Sequence, residues 1–329
     1  MNDALSTATD EPILADCSIH LVGPSEPVTG RVVGSASCMK GKSASFVRHV
    51  SIDVSGTPLE GRFRAGQSFG VVPPGVDEKG RPHKLRLYSL ASPSFGEDGA
   101  GRVISTTPKR LIAERSPQRT GDDPSDHRLF VGVCSNHLCD LRPGDEVRLT
   151  GPSGKRFLLP ADPSRHDYLF LSTGTGIAPF RGMALELLRH PSGPCRSRVE
   201  LLMGSPYASD LLYDDLLRGL AREHPNFAYH PVISRERRED GGPGEYVHQF
   251  LERRLDRFRE MLESPRTLIY VCGLAGMQTG LFRLLGRIGL ADRYLRIAEE
   301  IAGVDPAQWT DEQIHRRVRH GPRCMMEVY

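Results

Sequence analysis

Residues 168–190 read YLFLSTGTGIAPFRGMALELLRH. The opening YLFLS is a continuous apolar run, the pattern of a strand buried on both faces. Gly and Thr then turn the chain, and Pro179 falls near a helix's first turn, where it is tolerated. The remainder carries apolar residues at helical spacing. Strand, glycine turn and helix make the first part of a βαβ unit.

The unit recurs downstream. VELLMGS (199–205), FAYHPVIS (227–234) and TLIYVCG (267–273) read as further strands. Between and after them, helices are predicted over 209–224, with Ser209 or Asp210 as N-cap, over 244–262 and over 274–289. Four alternations predict a parallel, doubly wound sheet. A last helix is predicted over Asp311–Arg319, ahead of the terminal CMMEVY. Such sheets bind ligands at the carboxyl ends of their strands, which here carry STGTGIAP, MGS, ISRE and CGLAGM.

Upstream the pattern differs. VTGRVVG, FVRHVSID, QSFGVV, KLRLYSL, RVISTT and EVRLT are short apolar or alternating runs separated by Gly, Pro, Asp and Ser. That spacing predicts an antiparallel sandwich or barrel. The polar stretch 110–128 is predicted to be an excursion loop, with a short helix at Arg110–Arg115. The fold expected is therefore two-domain: a loose tail over 1–26, an antiparallel β-barrel over 27–160, and an α/β parallel-sheet domain over 161–329.

Composition excludes several classes. Lys and Arg number 43 against 41 Asp and Glu, so no nucleic-acid signature exists. No run of about 18 apolar residues is present, so no membrane-spanning helix is expected. The acidic, polar start lacks signal-peptide character. Seven dispersed cysteines argue against a disulfide framework and for a reducing cytoplasm. Cys134 and Cys139 form the one close pair, at a spacing that matches no common zinc or iron–sulfur run, so no metal is expected.

Three motifs carry chemistry. In RLYSLAS (86–92), Arg86 suits a pyrophosphate, Tyr88 a flat ring and Ser89 a hydrogen bond to that ring's edge. In GVCSNHLCDLRPGD (132–145), small residues precede a helix start, where backbone N–H groups meet phosphates. In STGTGIAPFRG (172–182), Gly174 and Gly176 allow close backbone approach. This run is neither the G-x-G-x-x-G fingerprint nor a phosphate-binding P-loop.

Taken as an ordered set, RLYSLAS, GVCSNHLCDL, LTGPSGK, TGTGIAPFR, LLYDDL, ISRE, CGLAGM and the terminal EVY resemble the plant-type ferredoxin–NADP reductase family. The resemblance spans about residues 27–329. It implies FAD in the barrel, with Arg86 on the pyrophosphate, Tyr88 on one flavin face and Ser89 at the flavin edge. Val133, Cys134 and Ser135 match the second FAD motif. Thr175 would approach the pyrophosphate of NADP(H), and Gly273, Leu274 and Met277 of CGLAGM would belong to the same cofactor site. Ser234 and Arg235 would take the 2′-phosphate, with Tyr246 stacked on its adenine. Cys272 would orient the nicotinamide, Glu327 would hydrogen-bond Ser89 and relay a proton, and Tyr329 would stack on the flavin until nicotinamide displaces it.

The activity implied is hydride transfer between NADP(H) and FAD, coupled to single-electron transfer with a separate ferredoxin or flavodoxin. Lys40, Lys42, Arg48, Lys84 and the run Arg316, Arg317 and Arg319 are candidate contacts for that acidic carrier. Two alternatives stand beside this reading: an NADPH-dependent reductase component of an oxygenase or other multicomponent system, and a non-catalytic FAD-bound subunit or sensor. The sequence departs from the family where Ala113 replaces a Tyr that packs on the FAD adenine, and where His137 replaces an aromatic.

Overall fold

The computed structural model describes residues 11–114, 123 and 125–328. Six strands form the N-terminal sheet: β1 (Val28–Ser37), β2 (Arg48–Asp53), β3 (Ser68–Val72), β4 (Arg86–Ser89), β5 (Val103–Thr106) and, further on, β8 (Glu146–Ser153). Their order is β4-β3-β8-β1-β2-β5, and every pairing is antiparallel. The two outer strands are joined where Ala91 N donates to Ser105 O (2.8 Å) and Thr106 Oγ1 to Ser89 O (2.9 Å). The inward residues of these strands, among them Val32, Val50, Ile52, Phe69, Val71 and Leu149, form one core.

The excursion over 110–128 differs from expectation. Where a short helix was predicted, β6 (Ile112–Glu114) pairs with β7 (Leu129–Val131). Ile112 and the LFV of β7 favour extended backbone, and pairing satisfies their backbone groups. α1 (Val133–Asp140) follows after Gly132.

The C-terminal domain holds five parallel strands in the order β11-β10-β9-β12-β15. They are β9 (Asp167–Thr173), β10 (Val199–Ser205), β11 (Phe227–Ile233), β12 (Thr267–Gly273) and β15 (Cys324–Val328). Both faces are covered, as the continuous apolar runs require. Tyr168 and Phe170 enter one core with Phe180 of α2 (Ile177–Arg189). Leu169 and Leu171 enter the other with Phe282 of α6 (Ala275–Arg287).

Two local expectations are corrected, and one strand is added. The helix predicted from 209 begins at Asp214 (α3, Asp214–Glu223), because Tyr213 is left-handed (φ 58°) and interrupts it. The amphipathic run over 244–262 breaks at Arg254 into α4 (Val247–Arg253) and α5 (Leu255–Glu263). The terminal CMMEV is a fifth parallel strand, β15, beside β12. Ahead of it lie α7 (Ala291–Tyr294), β13 (Leu295–Ile297), α8 (Glu299–Ala302), α9 (Asp311–Arg317) and β14 (Val318–His320).

The tail is tethered rather than loose from residue 13 onward. Ala161 N donates to Ile13 O (2.9 Å), Ala15 N to Leu159 O (3.0 Å) and Val22 N to Gly151 O (2.9 Å). The domains are joined by half-buried polar contacts. Arg181 of α2 pairs with Glu97 (2.6 Å), and the Tyr213 hydroxyl meets Thr107 (2.6 Å) and His49 (2.9 Å).

Candidate active site

The carboxyl ends of β9 to β12 open into a cleft of about 560 Å³. Thr173, Gly174 and Thr175 line it from the β9–α2 turn, Ser234 and Arg235 from the end of β11, and Leu274, Gly276 and Met277 from the β12–α6 turn. Glycine is required where the two turns meet. A Cβ on Gly176 would lie 2.2 Å from the Cys272 carbonyl oxygen. Gly273 has φ 138°, and a Cβ there would lie 2.1 Å from Thr173 Oγ1. That hydroxyl accepts from Leu274 N at 2.8 Å, locking the turns together. At Gly174 and Gly276, by contrast, an added Cβ meets no protein atom within 4 Å. The backbone on that side is open to a phosphate-bearing ligand.

Arg235 and Tyr246 line this same cleft. Ser234 Oγ donates to Ser205 O (3.4 Å) and Arg235 N to Pro206 O (3.0 Å), so the strand end is held while the guanidinium lies 6.0 Å over the Tyr207 ring. Glu236 stands next door in sequence, yet its carboxylate accepts from Ala208 N (2.9 Å) and is occupied there. Tyr246 is exposed and parallel to His248, with ring centroids 6.0 Å apart. The result is a flat aromatic ledge beside a cation.

On the barrel side, Arg86 is exposed and Tyr88 half-buried on β4. The Tyr88 hydroxyl hydrogen-bonds the Cys134 thiol, which also receives the Arg86 backbone N–H and donates to Val71 O (3.7 Å). Burial pushes both the phenol and the thiol upward, so both stay protonated. The Cys134 side chain thus fixes Tyr88, leaving its amide with those of Val133 and Ser135 at the start of α1. Gly132 precedes that start and has no side chain to cap it. Leu87 (58% exposed) and Val133 (46%) flank these groups. Arginine, helix N-terminus, a held aromatic face and uncovered apolar residues suit a flavin dinucleotide.

The two halves meet at Ser89. Its hydroxyl donates to the Glu327 carboxyl of β15. Burial pushes that carboxyl from 4.5 to about 7, and the Ser89 hydrogen bond opposes the rise. In sheet register, Cys272 lies between Ser172 and Glu327. Cys272 is 2% exposed, and burial, then the Glu327 charge, push its thiol well up. It is a thiol at neutral pH, not a nucleophilic thiolate. Tyr329 lies outside the described residues.

Sequence reasoning missed Lys109, which lines the cleft from the barrel side, and Thr173, whose hydroxyl ties the two turns. Neither stands in a periodic pattern, and only the approach of the two domains reveals Lys109. Among the expected carrier contacts, Lys40 is paired across the domains with Asp215 (2.7 Å) and Arg48 donates to Ser35 Oγ (2.8 Å). Arg316 and Arg317 pair with Glu312 (3.1 Å) and Glu300 (2.6 Å), while Arg319 donates to the His315 carbonyl oxygen. Lys42 and Lys84 are exposed. All seven cysteines are free, and among the described residues no acidic, His or Cys cluster could hold a metal and no helix is long and apolar enough to cross a membrane.

Residues 170–281 match the model of an oxidoreductase NAD-binding domain. The chain is 33% identical to the ferredoxin–NADP reductase of Synechocystis sp., covering 100% of this chain and 74% of that protein. It is 33% identical to that of Spirulina sp., over 95% of this chain and 99% of the relative. It is 35% identical to the chloroplastic root isozyme 1 of Arabidopsis thaliana, over 94% and 77%. The solved ferredoxin–NADP+ reductase of Plasmodium falciparum with 2′P-AMP shares the fold, at TM-score 0.69 and 20% identity over 95% of this chain and 100% of that one.

Proposed function

The chain belongs to the ferredoxin–NADP reductase family, and from that premise we propose how its own residues serve the reaction. It is a FAD- and NADP(H)-dependent oxidoreductase that acts with ferredoxin. When bound, FAD exchanges a hydride with NADP(H) and single electrons with the carrier. Arg86 and the amides of Val133, Cys134 and Ser135 hold the FAD pyrophosphate. Tyr88, locked by Cys134, covers one flavin face, and Ser89 bonds the flavin edge. Thr175 and the Gly273–Leu274 turn, with Met277 behind it, receive the coenzyme's pyrophosphate and nicotinamide half. Ser234 and Arg235 take the 2′-phosphate, and Tyr246 stacks on adenine. Because Glu236 is turned to Ala208 N, no carboxylate opposes that phosphate from this position.

Cys272 stays protonated and orients the nicotinamide by packing. Glu327 exchanges a proton with Ser89, which its titration near neutral pH permits. Tyr329, next in sequence after β15, would lie on the flavin and give way to the nicotinamide. Exposed Lys42 and Lys84 face the acidic ferredoxin or, as a second carrier, a flavodoxin. The cytoplasm is the compartment proposed.

The observation that carries the reading is the Ser89–Glu327 contact, which brings the end of the barrel's R-x-Y-S strand against the C-terminal strand beside Cys272. The test is rapid mixing of the purified protein with NADPH or NADH, then with a ferredoxin. Fast flavin reduction by NADPH and onward reduction of ferredoxin are expected. Release of FMN on acid treatment, or equal rates with NADH, would overturn it.

A further inference from the structure

β7 is exposed along its whole length, with Leu129 at 65%, Phe130 at 49% and Val131 at 48%. Phe130 projects from one face of the hairpin and Leu129 and Val131 from the other, and exposed apolar side chains held on a fixed element are candidates for a binding surface. Its position is fixed. Gly132 N and Asn136 Nδ2 both donate to Leu111 O (2.9 Å each), anchoring the β6–β7 hairpin against the start of α1. The hairpin therefore abuts the turn whose amides would take the FAD pyrophosphate. Within the hairpin, Ala113 is the cross-strand partner of Phe130. Directly paired residues project from the same face. On that face β6 offers only a methyl group, and β7 offers a ring.

We propose that Phe130 is the adenine-binding residue of the FAD site, supplying from β7 the stacking surface that Ala113 does not supply from β6. The inference rests on the FAD reading above. The occupant is a flat, uncharged heteroaromatic ring, because among the described residues the charged side chains flanking the hairpin are paired with one another. Arg110 is paired with Asp140, Arg128 with Asp126 (2.8 Å), and Glu114 with His127 (2.7 Å). An acidic protein carrier finds no unpaired cation in these three pairs. A purine ring would meet the exposed aromatic ring of Phe130 beside the Ala113 methyl.

The test uses full-length wild type, Phe130→Ala and the double variant Phe130→Ala/Ala113→Phe, each stripped of flavin and titrated with FAD and separately with FMN, which lacks the adenosine half. Phe130→Ala is expected to weaken FAD binding by roughly 5- to 150-fold, the range of base–aromatic stacking, and to leave FMN binding unchanged. The double variant, which moves the ring across the strand pair, is expected to recover FAD affinity without changing FMN affinity. Unaltered FAD affinity in Phe130→Ala overturns the proposal, as does equal weakening of FAD and FMN, which would make Phe130 a packing residue. A change of oligomeric state with FAD affinity retained would instead make this face a contact between copies of the chain. Wild-type protein that binds FMN but gains nothing from FAD refutes the dinucleotide reading itself, a result separable from failure of the Phe130 variant alone.

Discussion

Replacing Glu327 by Gln tests the coupling between the two domains most directly. In the folded chain burial raises its carboxyl from 4.5 to about 7. At 1.36 kcal/mol per pH unit, that interval corresponds to at most about 3 kcal/mol. The sign follows from the protons bound. Between pH 4.5 and 7 the native carboxyl keeps its proton while the unfolded one has lost it. Raising the pH therefore draws a proton from the native state alone, and stability falls. The contribution is fully present below the unfolded value and is gone once pH passes the folded value. The amide of the Glu327→Gln variant is neutral throughout and has no such dependence. The difference in unfolding free energy, Glu327→Gln minus wild type, should rise by up to about 3 kcal/mol between pH 4.5 and 8. Urea unfolding across that range, with FAD occupancy matched, measures it through Trp309, the single and buried tryptophan. Flavin reduction by NADPH should lose its inflection near neutral pH in the same variant. Parallel stability curves for the two proteins would refute a raised carboxyl at 327 and the proton exchange built on it.

Arg235→Ala should raise KM for NADPH by roughly ten- to a hundredfold, the value of a lost charge-assisted pair, with NADH kinetics unchanged; equal losses with both coenzymes would make the residue structural. Cys272→Ala should slow hydride transfer while 2′-AMP still binds, since misplacing a reacting ring by about 1 Å costs on the order of a hundredfold; rapid-mixing rates at wild-type level would assign the thiol to packing. Gly176→Ala should destabilise the C-terminal domain and abolish coenzyme binding, because its Cβ would lie 2.2 Å from the Cys272 carbonyl oxygen; a thermal-shift and NADP+ titration checks both, and retention of affinity would show that the two turns separate without cost.

Much of the fold was legible because burial on two faces writes itself into local composition. VELLMGS and TLIYVCG coincide with β10 and β12, and YLFLS falls within β9, one residue short at each end, since a strand between two helical layers has no polar side to alternate with. Glycine-rich turns were legible for a similarly local reason, as Gly273 needs a backbone angle that other residues rarely adopt. The ordered motifs tied the chain to one family.

What tertiary structure alone decided concerns partners distant in the chain. CMMEV has nothing in its own composition to distinguish a frayed end from a strand, and pairing with β12 makes it β15. Ile112 to Glu114 passes for a turn of helix until LFV, on the far side of the excursion, supplies the opposing strand. Lys40 reads as a solvent-facing cation until Asp215 closes on it from the other domain, and Glu236 as a competitor for the 2′-phosphate until Ala208 N takes its carboxylate. Ser89 and Glu327 belong to different domains, and only their docking buries that carboxyl enough to raise it to about 7. Periodicity and turn chemistry act over a few residues and so are carried by the sequence itself. Hydrogen-bond partners, desolvation and charge pairing depend on what lies within a few ångströms in space, which is settled only once the barrel and the parallel sheet have packed together.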